Sequence, residues 1–273
     1  MIPALSQVCS LNSPFDRDLE DYAGAGCTHV EVWLTKLEDY LKQHTLKDIQ
    51  YWLEKTRLKL AVAAFHGGLL ASQGPARHEA WELFRRRLDH CRDLAIGTIV
   101  VACDVPRPFD QQTIDRVQVS LVQVAQEAGQ RGVRAALEFQ ATSGLGNNLQ
   151  SAVALISDVA SPHLGLCLDA FHWYTGPSKT EDLGYLTRDN LFHVQFCDLA
   201  DVPRELAKDS DRILPGDGEI PLAALVSHLQ RINYQGCVSL ELMNPKLWQI
   251  QPLQLADAGL ASLNRLLQLT TDN

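Results

Sequence analysis

The sequence lacks the usual marks of an exported or membrane-embedded protein. Its first 15 residues carry no basic segment followed by an apolar run, so we expect no signal peptide. No apolar run reaches the length of a transmembrane helix. The seven cysteines form no Cys-x-x-Cys pair and are odd in number. This pattern predicts reduced core cysteines in a cytoplasmic protein.

An excess of basic residues is also missing. The chain has 24 Lys and Arg against 33 Asp and Glu, a formal net charge of −9. A broad nucleic-acid surface needs a basic face, so this balance argues against nucleic acid as a partner. It does not exclude a small anionic substrate in a local basic pocket. We therefore expect a small-molecule partner and neither nucleic acid nor membrane, and a homo-oligomer stays open.

No linker, low-complexity tract or coiled-coil register interrupts the chain. A hydrophobic content of 46% with 21% charged residues is typical of a soluble globular protein with a sizeable core. A length of 273 residues is large for one core but ordinary for a single-domain barrel. We predict one domain over residues 1–273.

Apolar, strand-like runs alternate with helical stretches along the chain. The predicted strands are Ala4–Ser10, His29–Leu34, Leu58–Phe65, Thr98–Cys103, Arg134–Phe139, Gly165–Asp169, Phe192–Phe196 and Cys237–Glu241. The predicted helices are Asp16–Ala25, Leu46–Thr56, Pro75–Leu94, Asp110–Arg131, Leu149–Ala160, Lys179–Thr187, Pro221–Arg231 and Pro252–Leu267. Eight strands followed by helices predict an α/β fold, a closed (β/α)₈ TIM barrel. A doubly wound open sheet is the alternative, but it would not need so many repeats.

Polar residues stand where the late strands end. Glu138, Asp169, Gln195 and Glu241 each close or nearly close an apolar run. The C-terminal strand ends of a barrel collect its chemistry, so these four side chains are expected to converge. Several carboxylates without adjacent Lys or Arg would repel each other, and a bound cation removes that repulsion. Further polar residues at or near strand ends are Glu31, His66, Asp104, His172 and Asp198.

The predicted donors narrow the choice of ion. Three carboxylates and one amide oxygen form an oxygen-rich site that favours Mn²⁺ or Mg²⁺. If the imidazole of His172 or His193 joins, Zn²⁺ or Co²⁺ becomes suitable. Strand alternation places His193 and Gln195 on one face. Because Gln195 is nearer the strand end, we predict that it binds the metal while His193 supports a neighbouring carboxylate.

Four motifs stand at the ends of the late strands: LEF with Glu138, LCLDAFH with Asp169 and His172, HVQFCD with Gln195, and SLELMN with Glu241. Together they resemble the xylose-isomerase-like TIM barrel superfamily of sugar-phosphate isomerases and epimerases. The resemblance implies one divalent ion held by Glu138, Asp169, Gln195 and Glu241. It also implies that Glu138 and Glu241 move protons on either side of a substrate carbon. Glutamine in the third place is similar to hydroxypyruvate-isomerase-like and 3-dehydroshikimate-dehydratase-like members.

The predicted activity is isomerisation or epimerisation of a keto-sugar, a sugar phosphate or a cyclic polyol ketone. A metal-dependent dehydratase is the alternative, since the same proton abstraction leads to water loss when a hydroxyl sits β to the carbanion. An apurinic-site endonuclease fits less well: that part of the superfamily needs three zinc ions and additional histidines. Here Asp211-Arg212-Ile213 lacks the expected histidine. A non-catalytic sugar-binding barrel would be expected to have lost a ligand.

Substrate contacts are predicted for His66, His172, Arg212 and Lys246. Arg212 and Lys246 are cations suited to a carboxylate, phosphate or enediolate. Asp198, just beyond the strand that carries Gln195, is predicted to support the metal-binding residues. The glycines after His66 allow either close substrate approach or a turn with positive φ.

Overall fold

A computed structural model describes residues 1–268 of the chain. Eight parallel strands form a closed barrel in chain order, which confirms the predicted fold class. The strands are β1 Ile2–Ser6, β2 His29–Trp33, β3 Lys59–His66, β4 Thr98–Cys103, β5 Arg134–Phe139, β6 Leu164–Asp169, β7 Leu191–Phe196 and β8 Cys237–Leu240. That residues 1–273 form one domain stays a prediction, and its last five residues lie outside the described part.

Nine α-helices follow the strands within the described residues. They are α1 Phe15–Gly24, α2 Leu34–Leu41, α3 Leu46–Thr56, α4 Gly74–Asp93, α5 Gln111–Gln130, α6 Leu149–Val159, α7 Ala170–Thr175, α8 Leu222–Arg231 and α9 Pro252–Leu267. Short 3-10 helices cover Gln7–Ser10, Thr180–Tyr185, Asp209–Asp211 and Leu247–Gln249. None of the helices in this part of the chain combines the length and apolar character that crossing a membrane requires.

The strands are nearly continuous apolar runs because both of their faces are covered. All six residues of β4 and all six of β7 are buried. In β5 only the first residue, Arg134, is exposed. Strands of parallel sheets read this way in general, so a polar residue within them calls for a separate explanation.

Residues 62–193 form one compact unit. Within it β4 pairs with β3 and with β5, and β5 pairs with β6. The register sets Glu138 of β5 opposite Ala102 and Cys167. Glu138 therefore stands one residue before the end of β5, between the C-terminal parts of β4 and β6.

A second compact unit combines residues 1–61 with the chain from Val194 onward. Within it β1 pairs with β2 and with β8, and β7 pairs with β8. Gln195 lies opposite Ser239, and Glu31 lies opposite Ser6. Glu241 directly follows β8, and its backbone N–H donates to the carbonyl of Phe196 at 3.0 Å.

Two predicted elements are wrong in kind or by more than one residue, and the bounds of the other predicted elements agree with the structure to within one residue. The strand predicted over Ala4–Ser10 ends at Ser6, because the Ser6 hydroxyl accepts from Val8 N and a 3-10 helix begins at Gln7. The stretch Lys179–Thr187 contains a 3-10 helix rather than an α-helix. The predicted strand His29–Leu34 ends at Trp33, where α2 begins without an intervening loop.

Candidate active site

One cluster of polar side chains, the β5–β6 cluster, consists of Glu138, Asp169 and His172. Each offers one metal-ligating atom, and these atoms lie within 4.8 Å of one another. The three side chains are 4%, 0% and 7% exposed, respectively. Two buried carboxylates at this spacing would repel each other strongly in water-poor surroundings, whereas a shared cation would stabilise them.

The backbone after β6 places His172 beside the carboxylates. Asp169 is the N-cap of α7, and its Oδ1 accepts hydrogen bonds from Phe171 N at 2.6 Å and from His172 N at 3.1 Å. Aspartate is among the preferred N-cap residues because its carboxylate satisfies N–H groups of the first helical turn. Capping fixes the orientation of the Asp169 carboxylate and starts the helix that brings His172 back towards it.

A second cluster, the β7–β8 cluster, consists of Gln195, Arg212, Glu241 and Glu31. Gln195 Nε2 donates to Glu241 Oε1 at 2.9 Å and to Glu31 Oε1 at 3.2 Å. Arg212 Nη1 donates to Glu241 Oε2 at 2.9 Å. Both oxygens of Glu241 are therefore held by nitrogen donors, and the carboxylate has a defined plane.

Arg212 is the charged centre of this second cluster. Its side chain is only 1% exposed, and besides Glu241 it binds Asp209, whose Oδ1 accepts from Nη2 at 2.7 Å and from Nε at 3.0 Å. Asn244 Nδ2 donates to the Arg212 carbonyl at 3.0 Å. Two carboxylates thus compensate the buried guanidinium, which would be costly to bury alone.

His66 ends β3 and is 1% exposed. Arg87 Nη1 lies 3.2 Å from His66 Nδ1, and because arginine can only donate, Nδ1 is the acceptor. The neutral ring therefore carries its proton on Nε2. The ring of Phe84 packs against His66 with a centroid separation of 5.1 Å.

The two glycines after His66 have a structural explanation. Gly68 has φ +76° and its N–H donates to Asp104 Oδ2 at 2.7 Å. A Cβ atom on Gly67 would lie 2.8 Å from the same oxygen. Burial raises the pKa of Asp104, and the Gly68 hydrogen bond opposes this rise. Of the two alternatives from the sequence, the positive-φ turn is present at Gly68.

The remaining predicted residues lie in varied surroundings. His193 is fully buried in β7. Asp198 is 1% exposed and its carboxylate accepts from three backbone N–H groups. Lys246 is exposed, and its backbone N–H donates to Asn244 Oδ1 at 3.0 Å. Their predicted roles, like the substrate contacts of His66, His172 and Arg212, stay predictions.

The donors at hand fit a divalent ion. Two carboxylates and one imidazole in the β5–β6 cluster match the oxygen and nitrogen ligands that Zn²⁺, Mn²⁺ and Co²⁺ take in proteins. In the β7–β8 cluster Gln195 Nε2 donates to Glu31 and Glu241, and a metal would bind this amide through Oε1. The four-residue set of Glu138, Asp169, Gln195 and Glu241 stays a prediction.

Two site residues were given no partner by sequence reasoning. Glu31 is fully buried and accepts from Gln195, and its position near the end of β2 is the signal that could have predicted this contact. Asp209 binds Arg212 three residues along the chain. No periodic pattern in the segment after β7 points to that ion pair.

Sequence comparison finds relatives of two kinds. The chain is 29% identical to an inosose isomerase of Halalkalibacterium halodurans over 250 residues, which cover 88% of this chain and 86% of that protein. It is 26% identical to a 3-dehydroshikimate dehydratase of Pseudomonas putida over 183 residues, 65% of this chain and 28% of that protein.

Among solved structures, the fold is similar to that of the IOLI protein with a bound zinc atom. The TM-score is 0.89 and the sequence identity 24%, with 98% of each chain covered. The sequence profile of the xylose isomerase-like TIM barrel family matches residues 19–266. The chain therefore belongs to the xylose isomerase-like TIM barrel family.

Proposed function

We propose that the protein is a divalent-metal-dependent isomerase that acts on a cyclic polyol ketone of the inosose type. The enzyme would remove a proton from the carbon next to the ketone and return a proton to complete the isomerisation. The observation that carries the proposal is the pair of buried carboxylates, Glu138 and Glu241, at the ends of β5 and β8. Proton transfer at such a carbon needs a base and an acid, and carboxylates suit both roles. The inosose isomerases among the relatives support this substrate class.

The ion would be held by Glu138, Asp169, Gln195 and Glu241, with Mn²⁺ or Mg²⁺ suited to the oxygen donors. His172 lies close enough to Glu138 and Asp169 to offer a nitrogen, which would favour Zn²⁺ or Co²⁺. When bound, a divalent ion supplies Lewis-acid polarisation of the substrate carbonyl. Asp169 would be a pre-oriented ligand because its carboxylate already caps α7.

The protein's own residues carry out the proton transfer. One of Glu138 and Glu241 removes the proton from the carbon beside the ketone, and the other delivers a proton to complete the isomerisation. Gln195 and Arg212 bind one oxygen each of Glu241 and so fix the carboxylate plane before the substrate arrives. A catalytic group that is already oriented loses less entropy in the transition state.

The buried cations favour an uncharged substrate. Three Lys and Arg side chains are buried within residues 1–268, namely Lys36, Arg87 and Arg212. Lys36 Nζ binds Asp18 and the carbonyl of Ser10, Arg87 binds His66 and the carbonyl of Phe65, and Arg212 binds two carboxylates. Each is already committed to a protein group. A polyol ketone needs no cation, whereas a sugar phosphate or dehydroshikimate would need one.

A dehydratase of the 3-dehydroshikimate type is the second candidate. It rests on the relatives of that name, and the chain matches 28% of the length of one of them and 42% of the other. The same proton abstraction would start the reaction, and loss of a β-hydroxyl would end it. Such an enzyme would have to bind its acidic substrate through exposed cations such as the Lys246 side chain.

The experiment is a substrate screen in deuterated water. Purified protein supplied in turn with Mn²⁺, Mg²⁺, Co²⁺ and Zn²⁺ is incubated with inososes, keto-sugars, sugar phosphates and 3-dehydroshikimate, and proton NMR follows exchange and product. We expect exchange beside the ketone and an isomerised product from an inosose. Water loss from 3-dehydroshikimate without isomerisation of any ketone would favour the dehydratase. No exchange with any substrate and ion would contradict both.

A further inference from the structure

The carboxylate of Asp198 organises the loop between β7 and α8. Its Oδ1 accepts from Leu199 N and Ile220 N, both at 2.9 Å, and its Oδ2 accepts from Gly216 N at 2.8 Å. Three N–H bonds to a carboxylate that is 1% exposed bind residues 216 and 220 to the end of β7. Charge-assisted hydrogen bonds of this kind are stronger than those between neutral groups.

The same loop is tied down at further points. Asp198 and Ile213 exchange two backbone hydrogen bonds of 2.9 Å. Ser262 Oγ donates to the Pro215 carbonyl, and Glu219 N donates to the Leu199 carbonyl at 2.8 Å. Gly218 packs so closely against Asp198 and Leu199 that a Cβ atom there would overlap them. The loop from Leu199 to Pro221, which we call the arginine loop, is therefore built around one carboxylate.

Arg212 is the residue that this loop presents to Glu241. It directly precedes Ile213, whose backbone pairs with Asp198, and its guanidinium reaches Glu241 Oε2 at 2.9 Å. The Asp198 carboxylate itself makes no hydrogen bond to Glu241 among those of the described residues. The arginine loop, which carries Arg212, links that carboxylate to Glu241.

We propose that Asp198 is a positioning residue: it shapes the arginine loop so that Arg212 holds the carboxylate of Glu241. The proposal rests on the proposed function only for the catalytic role that it gives Glu241. Its structural part, the dependence of the Arg212–Glu241 contact on Asp198, stands apart from any activity.

Asp198→Asn tests this dependence with little change of shape. The amide has one acceptor oxygen and an NH₂ group that cannot accept a hydrogen bond, so the N–H groups on one side lose their partner. Asp217→Asn is the matched control, because Asp217 is exposed, belongs to the same loop and loses the same charge. If Asp198→Asn fails to fold by circular dichroism, Asp198→Glu replaces it, since it keeps the carboxylate but shifts it by one methylene.

The direct readout is the Arg212 Nε–H signal in a nitrogen–proton NMR spectrum, assigned by its absence from Arg212→Lys. In the wild type this group donates to the half-exposed Asp209 at 3.0 Å, and because the Arg212 side chain itself is only 1% exposed, its exchange with water should be slow. We expect Asp198→Asn to lose or strongly shift the signal and to accelerate its exchange. Asp217→Asn should leave it unchanged. A wild-type signal in Asp198→Asn would overturn the proposal.

Turnover gives the second readout. Removing a residue that orients an active-site group costs about 10- to 100-fold in activity. We expect a loss of this size in kcat for Asp198→Asn, with a smaller change in KM and none in the control.

Because Asp198 acts through Arg212, Asp198→Asn combined with Arg212→Lys should lose no more turnover than Arg212→Lys alone. Additive losses, or a lost Nε–H signal with normal turnover, would contradict the positioning role. If the wild type turns over no ketone, the proposed function fails and the NMR result alone decides.

Discussion

The surroundings of Glu241 bear directly on its predicted role in proton transfer. Each of its oxygens accepts a hydrogen bond from a different side chain, Gln195 on one side and Arg212 on the other. Any carboxylate buried this deeply needs such donors, and here they also fix the plane of the group. Glu138 has different neighbours, the Asp169 carboxylate and the His172 imidazole. The two glutamates are thus set in distinct electrostatic surroundings, as a base and an acid require.

Glu138→Gln and Glu241→Gln should each keep the fold and lose turnover. Glutamine retains an oxygen that can bind a metal but cannot carry a proton. The expected loss in kcat is about 10²-fold or more, the scale of removing a general acid or base. Steady-state kinetics on the inosose that the screen identifies would measure it.

Metal content must be determined on the same glutamine variants, because a lost ligand would also reduce turnover. If both variants still bind the metal ion and exchange the substrate proton with water at the wild-type rate, the two-glutamate mechanism is wrong. If only one of them fails to exchange, that glutamate is the sole base and a lyase becomes the better assignment.

Gln195 and His172 are the two candidates for the third ligand of the proposed metal site. We expect Gln195→Ala to weaken binding of Mn²⁺ measured by calorimetry and His172→Ala to weaken it less. The physical reason is that Gln195 stands at the end of β7 with its Nε2 held by two glutamates, and an amide binds a cation through its oxygen. The reverse order of affinities would assign the ion to the β5–β6 cluster with His172 as its nitrogen ligand.

At the scale of elements, the turn after β3 depends on glycine. Gly68→Ala should lower the free energy of unfolding by about 1–2 kcal/mol, since an L-residue is strained at positive φ. Gly97→Ala is the control: no atom lies within 4 Å of the added Cβ and its φ is outside the left-handed region. Urea unfolding of both variants would measure the difference. Equal stability of the two would show that the turn adapts without cost.

Most elements could be predicted from periodicity alone. Strand β5 and helix α9 begin and end at the predicted residues, because apolar runs or helical spacing there are bounded by clear breaks. Helix α2 could not be predicted, since it continues β2 directly and its N-cap, Trp33, makes no side-chain capping bond. Local sequence carries no sign of such a junction. Its apolar face is defined only by what it packs against.

The site was predictable where strand ends deliver it and not where loops do. Glu138 and Asp169 follow from the rule that barrel chemistry gathers at the C-terminal ends of strands, and the structure brings them together with His172. The ion pair of Arg212 with Glu241 spans 29 residues and depends on the arginine loop. That loop has no periodic pattern, and its shape follows from backbone hydrogen bonds to Asp198. Sequence reasoning could place Arg212 near the site but not name its partner.

At the scale of the whole molecule, the cysteines share one property. All seven are buried. Burial raises the pKa of Cys27 and Cys237 to about 11 and that of Cys91 and Cys103 to about 12, and it raises the pKa of Cys9 further still. The thiolate is the reactive form, so these thiols should be inert in the folded protein.

A thiol titration with a chromogenic disulfide at pH 8 should therefore detect almost no reactive cysteine in the native protein. After unfolding in guanidinium, the same reagent should detect all seven. The rate in the native state would then report the opening of the fold. Rapid reaction of one or more thiols before unfolding would contradict the buried positions of the cysteines.

This inertness makes the natural chain a clean background for attaching probes. A single introduced cysteine, such as Asp217→Cys on the exposed part of the arginine loop, should take up a fluorophore or spin label selectively. No cysteine would first have to be removed, so the labelled enzyme would keep its native interior. The signal of the label would then report changes in the arginine loop as substrate and metal bind and dissociate.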